Sequence, residues 1–196
     1  MFRRFLLALC SLAVLILFAG CANQIVVPEV LQQPLNGKIY TKSNIWYQNP
    51  AQISSLNYQT GRIIPFGTEV IPVKATDYLL VFKTKDGQQY TILFDPQLML
   101  VPMRVYIKQM FTLKPREDYI EGMNKEVVAT MLKGLIKRGM TKKQVIMTCG
   151  LPPACRTPST MNSTWIYYLD KNRTFRVVFR GQKVKAIINI NDEELK

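Results

Sequence analysis

The chain contains no histidine among its 196 residues. That excludes Ser-His-Asp and Cys-His catalysis and any histidine-ligated zinc. Acidic side chains are scarce as well, 13 Asp plus Glu against 26 Lys plus Arg, for a formal charge of +13. The carboxylates are scattered, and no Gly-x-Ser-x-Gly, P-loop or Gly-x-Gly-x-x-Gly phrase occurs. The apolar stretch from Phe5 to Phe18 covers 14 residues without a charge and falls short of the roughly 20 that a spanning helix needs. Cysteines number only four: Cys10, Cys21, Cys149 and Cys155. These absences point away from an enzyme, a metal centre or a bound cofactor and towards a binding or assembly component.

What is present begins with a leader. Met1-Phe2-Arg3-Arg4 is a short cationic start, the apolar run follows, and Ala19 and Gly20 are small. This is the three-part plan of a secretory signal over residues 1–20. Phe18-Ala19-Gly20-Cys21 resembles the lipobox of bacterial lipoproteins, with Phe18 where the family favours Leu. The resemblance implies cleavage between Gly20 and Cys21 and a diacylglycerol on the Cys21 thiol, and several acyl chains together anchor a protein firmly. Ala22, rather than Asp, follows the cysteine, which in Gram-negative lipoproteins implies the outer membrane and a periplasm-facing body. Residues 21–36, polar and aliphatic with Pro28 and Pro34, read as a lipidated tether.

The positive charge is uneven. Residues 125–196 carry 14 basic and 5 acidic side chains, most of the excess. A basic face attracts anionic lipid, phosphate or an acidic protein surface. Nucleic acid is not expected as a partner for an exported chain.

Residues 37–100 read as β structure. Short β-prone runs include Ile45-Trp46-Tyr47, Ile53–Tyr58 and Glu69–Lys74, with turns at Asn49-Pro50, Thr60-Gly61 and Pro65-Phe66-Gly67-Thr68. Tyr78–Thr84 and Gln89–Phe94 flank Asp86-Gly87, a hairpin signal. The spacing and the Gly67-Thr68-Glu69-Val70 phrase loosely resemble bacterial SH3-like domains. The resemblance implies a small all-β barrel that binds peptide or cell-wall material, with Trp46, Tyr47 and Tyr58 as candidate ligand contacts. Equally, such aromatics serve as core. Leu98–Phe111 is apolar with Pro102 inside and fits either an extended strand or a broken helix. Residues 101–123 read as a connecting segment.

Residues 124–196 change period. Asn124 caps a helix whose Val127, Val128, Met131, Leu132, Leu135 and Ile136 form one stripe ended by Gly139. Thr141 and Gln144 form a capping box for a short second helix stopped by Gly150 and Pro152. Three strands follow, Trp165–Leu169, one in which Phe175, Val177 and Phe179 alternate with polar or outward residues, and Val184–Ile190. The expected fold class is therefore α+β: a small N-terminal all-β barrel, then two helices and a three-stranded antiparallel sheet. In that sheet Tyr168, Arg173, Arg176, Arg180, Lys183 and Lys185 fall where an exposed partner-binding face would lie.

Gly139-Met140-Thr141-Lys142-Lys143-Gln144-Val145, Gly150-Leu151-Pro152, Trp165-Ile166-Tyr167 and Phe179-Arg180-Gly181-Gln182-Lys183-Val184, in that order behind a lipobox, resemble the SmpA/OmlA family of BamE-like lipoproteins. The family implies an accessory or scaffold role in outer-membrane protein assembly, with envelope or outer-membrane proteins, β-barrel assembly components among them, as partners. Cys149 stands where the family is usually aliphatic, and the β region lies outside the match. Cys149 and Cys155, flanking Gly150-Leu151-Pro152-Pro153-Ala154, make a plausible structural disulfide in an oxidising compartment. The alternative function is a periplasmic cell-wall or ligand-binding lipoprotein that uses the β region, with peptidoglycan as partner. A third, inhibition of a secreted hydrolase, rests on fold analogy alone.

Overall fold

The computed structural model describes residues 23–191. The signal segment, Gly20, Cys21 and the acidic tail lie outside the described residues. Among the described residues the architecture is mixed α+β, with six helices, a curled half-barrel sheet and two smaller sheets.

The chain enters along the half-barrel. Pro28 starts helix α1, Val27–Leu31, and Gln32 closes it in the left-handed region. Strand β1, Ile39–Thr41, follows, then β2, Ile45–Tyr47, β3, Ile53–Ser54, and β4, Arg62–Ile64. The long meander comes next: β5, Glu69–Ala75, β6, Leu79–Thr84, and β7, Gln89–Leu93. The Asp86-Gly87 signal is a turn, with Gly87 at φ +87° and the Thr84 hydroxyl donating to Asp86. Helices α2, Pro96–Met99, and α3, Met103–Met110, lead to β8, Phe111–Thr112. The six-stranded order is β3-β7-β6-β5-β1-β8, antiparallel except where Ile53 faces Ile92 in parallel. Leu80, Phe82, Ile39 and Ile92 point inward, where Met103, Tyr106, Ile107 and Met110 of α3 cover them. Those four recur at helical spacing, one face of one helix.

Two boundaries differ from expectation. The tether over 21–36 is folded from Ile25 onward: Ile25, Val27 and Val30 are buried in the first core, and the Ile25 N–H donates to Ala75 O at 2.8 Å. The segment Leu98–Phe111 is the broken-helix alternative and is part of the first core rather than a connector.

The second core is built by α4, Arg116–Ile120, α5, Lys125–Leu132, and α6, Lys142–Cys149, with β9, Thr164–Tyr168, β10, Arg173–Arg180, and β11, Lys183–Asn191. The sheet is antiparallel in the order β11-β10-β9. Asn124 caps α5 through Glu126 N–H at 2.7 Å, and the capping box at α6 is formed in both directions. Trp165, Tyr167, Val177 and Phe179 are buried beneath Met131 and Val145. Helix α5 stops at Leu132, short of Gly139. Gly134 at φ +72° turns the chain, and Leu135 N–H returns to Thr130 O at 3.1 Å. A Cβ on Gly134 would sit 2.2 Å from Trp46 Cζ2, so the indole of β2 is packed on the helix end.

That contact is part of a seam between the cores. Asn44, fully buried, donates its amide to Met131 O at 2.7 Å and accepts from Phe66 N–H at 2.9 Å. Its own N–H donates to Met147 O at 2.9 Å. Asn57 donates to Cys149 O at 2.8 Å and Asn44 O at 3.1 Å, and accepts from Trp46 N–H at 2.8 Å. Side chains cross the seam as well: Phe66 from the first region packs in the second core, and Tyr168 from the second region packs in the first. Asn44→Ala would strand Met131 O and Phe66 N–H, at about 1–3 kcal/mol for each buried orphan. Urea denaturation is expected to show a loss of roughly 3 kcal/mol for Asn44→Ala and a comparable loss for Gly134→Ala, whose methyl collides with Trp46. A loss under about 0.5 kcal/mol in both, the level of a surface substitution, would contradict the seam.

Candidate binding surfaces

Three surfaces offer sites. The first is a groove of about 610 Å³ beside β7, lined by Tyr58, Tyr78, Leu93, Phe94 and Asp95 among others. A smaller cavity of about 60 Å³ adjoins it, with Trp46, Tyr47 and Tyr58 in its wall. The structure thus brings together all three aromatics singled out in the sequence. Their packing separates them, however. Trp46 is pressed on Gly134, and Tyr47 meets Tyr90 edge-on with ring centroids 5.2 Å apart. Burial, and then Tyr47 beside it, pushes the Tyr90 phenol up to about 12. Tyr58 borders both spaces and meets Tyr168 edge-on at 6.0 Å. Tyr78 and Leu93 were not singled out in the sequence; their positions at the outward ends of β6 and β7 were readable from the hairpin parity.

The second surface is the outer face of the β9–β10–β11 sheet. Arg176 lies between Ile166 and Ile188, its cross-strand partners, and Val178 lies between Thr164 and Ala186. The helices of the second core pack on the opposite face, where the alternating Trp165, Tyr167, Val177 and Phe179 point, and the first core covers this face at its Tyr168–Thr174 end. Ile188 is 47% exposed. Arg180 and Lys183 flank the Gly181 turn, and Lys183 bridges to Thr141 at the start of α6. Arg173 pairs with Asp170 at 2.6 Å, and the hydrogen bond from Arg173 holds that carboxyl below its ordinary range.

Tyr168 corrects the expectation. It is 8% exposed and points into the first core, where Arg156 Nε donates to its hydroxyl at 2.8 Å and the guanidinium lies 5.5 Å over its ring. Its phenol pKa is raised, chiefly by burial. The strand alternation holds at β9: Tyr167 faces the second core and Tyr168 the other side, where the first core covers it. Lys142, within the basic stretch, is structural: Nζ donates to Thr160 O at 2.7 Å and Asn162 O at 2.9 Å and sits over the rings of Trp165 and Phe179.

The expected Cys149–Cys155 disulfide is not formed; both are free thiols. Cys149 ends α6 and faces the second core, whereas Cys155 packs against the first, and the Gly150–Ala154 turn directs them apart. Burial pushes the Cys149 thiol far up, so its thiolate, the reactive form, is suppressed.

Compared with known proteins, the chain matches no family model, no curated protein and no solved structure.

Among the described residues no group of three or more His, Cys, Asp or Glu side chains is placed to hold a metal ion, and no helix is long and apolar enough to cross a membrane. Cys21 and Gly20, the lipidation and cleavage residues expected from the sequence, lie outside the described residues. With Cys10 and Cys21 replaced by Ser, thiol titration is expected to give one reactive thiol in the folded protein, Cys155, and two after denaturation without reductant, Cys149 having been uncovered. No free thiol after denaturation would restore the bridge.

Proposed function

We propose that this protein is a periplasm-facing outer-membrane lipoprotein, anchored through Cys21, whose folded body is a non-catalytic accessory or scaffold in envelope assembly. The observation that carries this reading is the part of the second sheet's outer face that the first core leaves open, from Arg176 and Ile188 to the Gly181 turn. A face with Ile166, Val178 and Ile188 around Arg176, rimmed by Arg180 and Lys183, has the composition of a protein interface rather than of a solvated sheet. Its finer form is an SH3-like barrel followed by an SmpA/OmlA-type domain. The helix, helix and three-strand order of the second core and the curl of the first sheet support that form. Outer-membrane proteins, including β-barrel assembly components, are the partners it implies, and the basic rim adds anionic lipid as a candidate.

The alternative reading, a cell-wall or ligand-binding lipoprotein, draws on the groove beside β7 and its Tyr58 and Tyr78. The two readings separate by substitution in the intact protein. Crosslinking in whole cells, followed by solubilisation and mass spectrometry, is expected to recover outer-membrane proteins with the unaltered chain. Arg176→Glu combined with Ile188→Asp is expected to reduce that recovery about tenfold, the effect of removing a central contact, while Tyr58→Ala leaves it unchanged. Undiminished recovery from the Arg176 and Ile188 variant would contradict the reading, and recovery of peptidoglycan fragments lost with Tyr58→Ala would favour the alternative.

A further inference from the structure

The third surface is the outward side of the half-barrel. Beyond the bulge between Pro72 and Lys74, Val73 and Lys74 stand opposite Val81, and Leu79 stands opposite Leu93. Ile71, Val73, Tyr78 and Leu93 are 58%, 48%, 67% and 49% exposed. Helices α1 and α3 pack on the concave side, and among the described residues these four side chains stay open at the surface. Lys74 and Lys83 flank the apolar rows, Thr91 and Gln89 complete them, and Asp77 sits in the turn from Thr76 to Leu79. An exposed apolar patch with a tyrosine and lysines at its border has the makeup of a surface that meets lipid or protein.

The path of the chain decides between occupants. β1 pairs with β5 only at Glu69 and Val70, which leaves the far end of that β5 edge open. Ile25 takes that place, its N–H donating to Ala75 O at 2.8 Å, and Ile25 and Val27 are buried. The body is therefore fixed at Ile25, two residues along β5 from Val73 and beside the Thr76–Leu79 turn. The four steps from Cys21 to Ile25 reach at most about 14 Å. A chain acylated at Cys21 has no long tether, and the end of the half-barrel that carries Val73, Tyr78 and Leu93 is held against the headgroups.

We propose that the outward rows of β5, β6 and β7, together with the Thr76–Leu79 turn, rest on the lipid bilayer that holds the acyl chains of Cys21. The proposal depends on the lipid-anchored reading given above. Seated in this way, Ile71, Val73, Tyr78 and Leu93 enter the interfacial layer, and Lys74 and Lys83 meet anionic headgroups. A short leash also gives the bound face a high effective concentration, so a modest patch suffices to fix orientation.

The test uses the full acylated protein purified from cells. Cys155→Ala leaves introduced thiols as the reactive ones, since Cys149 is buried. The protein is reconstituted in vesicles of phosphatidylethanolamine and phosphatidylglycerol. Nitroxide labels go at Val73→Cys and Leu93→Cys, with Leu135→Cys and Met161→Cys as exposed references in the second region. On vesicles, collisions with a water-soluble nickel chelate are expected to fall about threefold or more at 73 and 93, as for side chains entering the headgroup boundary, and to stay unchanged at 135 and 161. Equal collision rates at all four sites, with Cys21 shown by mass spectrometry to be acylated, overturn the proposal and leave the anchor reading standing. An unmodified Cys21 overturns both. Protection at 73 and 93 that persists in the Cys21→Ser protein without vesicles, with doubled mass in solution, assigns the face to a second copy and overturns the lipid occupant.

Discussion

Two buried asparagines hold this structure together. Asn44 and Asn57 sit where the half-barrel meets the second core, and their side chains bond to main-chain groups of both. A buried amide is expensive unless satisfied, and each of these makes bonds with both its ends. The seam therefore admits few alternative registers: sliding one core along the other would strand Met131 O, Met147 O and Cys149 O together. Phe66 and Tyr168 strengthen the effect, because each is donated to the core of the opposite half. Separating the halves would expose both rings.

The consequence for function is geometric. If the two halves open and close as one body, a surface on one is oriented by whatever fixes the other. The chain is fixed at Ile25, at the end of β5, close to the residue the lipobox resemblance marks for acylation. If the half-barrel rests on a bilayer as proposed, its position sets where the Arg176 face points, and the seam transmits that orientation. The basic second half and the apolar outward rows of the first half are two separate surfaces with different chemistry, one suited to protein or anionic headgroups and one to the interfacial layer.

Local patterns in the sequence were legible wherever the deciding contacts are close in sequence. Thr141 and Gln144 made their capping box, Asp86-Gly87 made its turn, and the alternation of Phe175, Val177 and Phe179 found the correct inward face. The misses are non-local. Val127 to Ile136 reads as one continuous stripe, yet Trp46, some ninety residues earlier, ends the helix at Gly134. Ile25, Val27 and Val30 look like a tether until β5 is seen to have an open edge beside them. Cys149 and Cys155 are close along the chain but face different cores, and Tyr168 keeps the face its alternation assigns but is buried there because the first core packs on it. Asn44 and Asn57 carried no signal at all: an asparagine before a β run reads as an ordinary turn residue, and Asn57 lies inside the run Ile53–Tyr58.

Native-state hydrogen exchange tests the central claim most directly. If the seam makes one cooperative body, the slowest amides of Leu80 and Ile92 in the first core and of Trp165 and Val177 in the second open with the same free energy, within about 0.5 kcal/mol. Opening energies that differ by more than about 2 kcal/mol between the two sheets would show that the halves unfold separately, and the seam would then be a contact between independent domains.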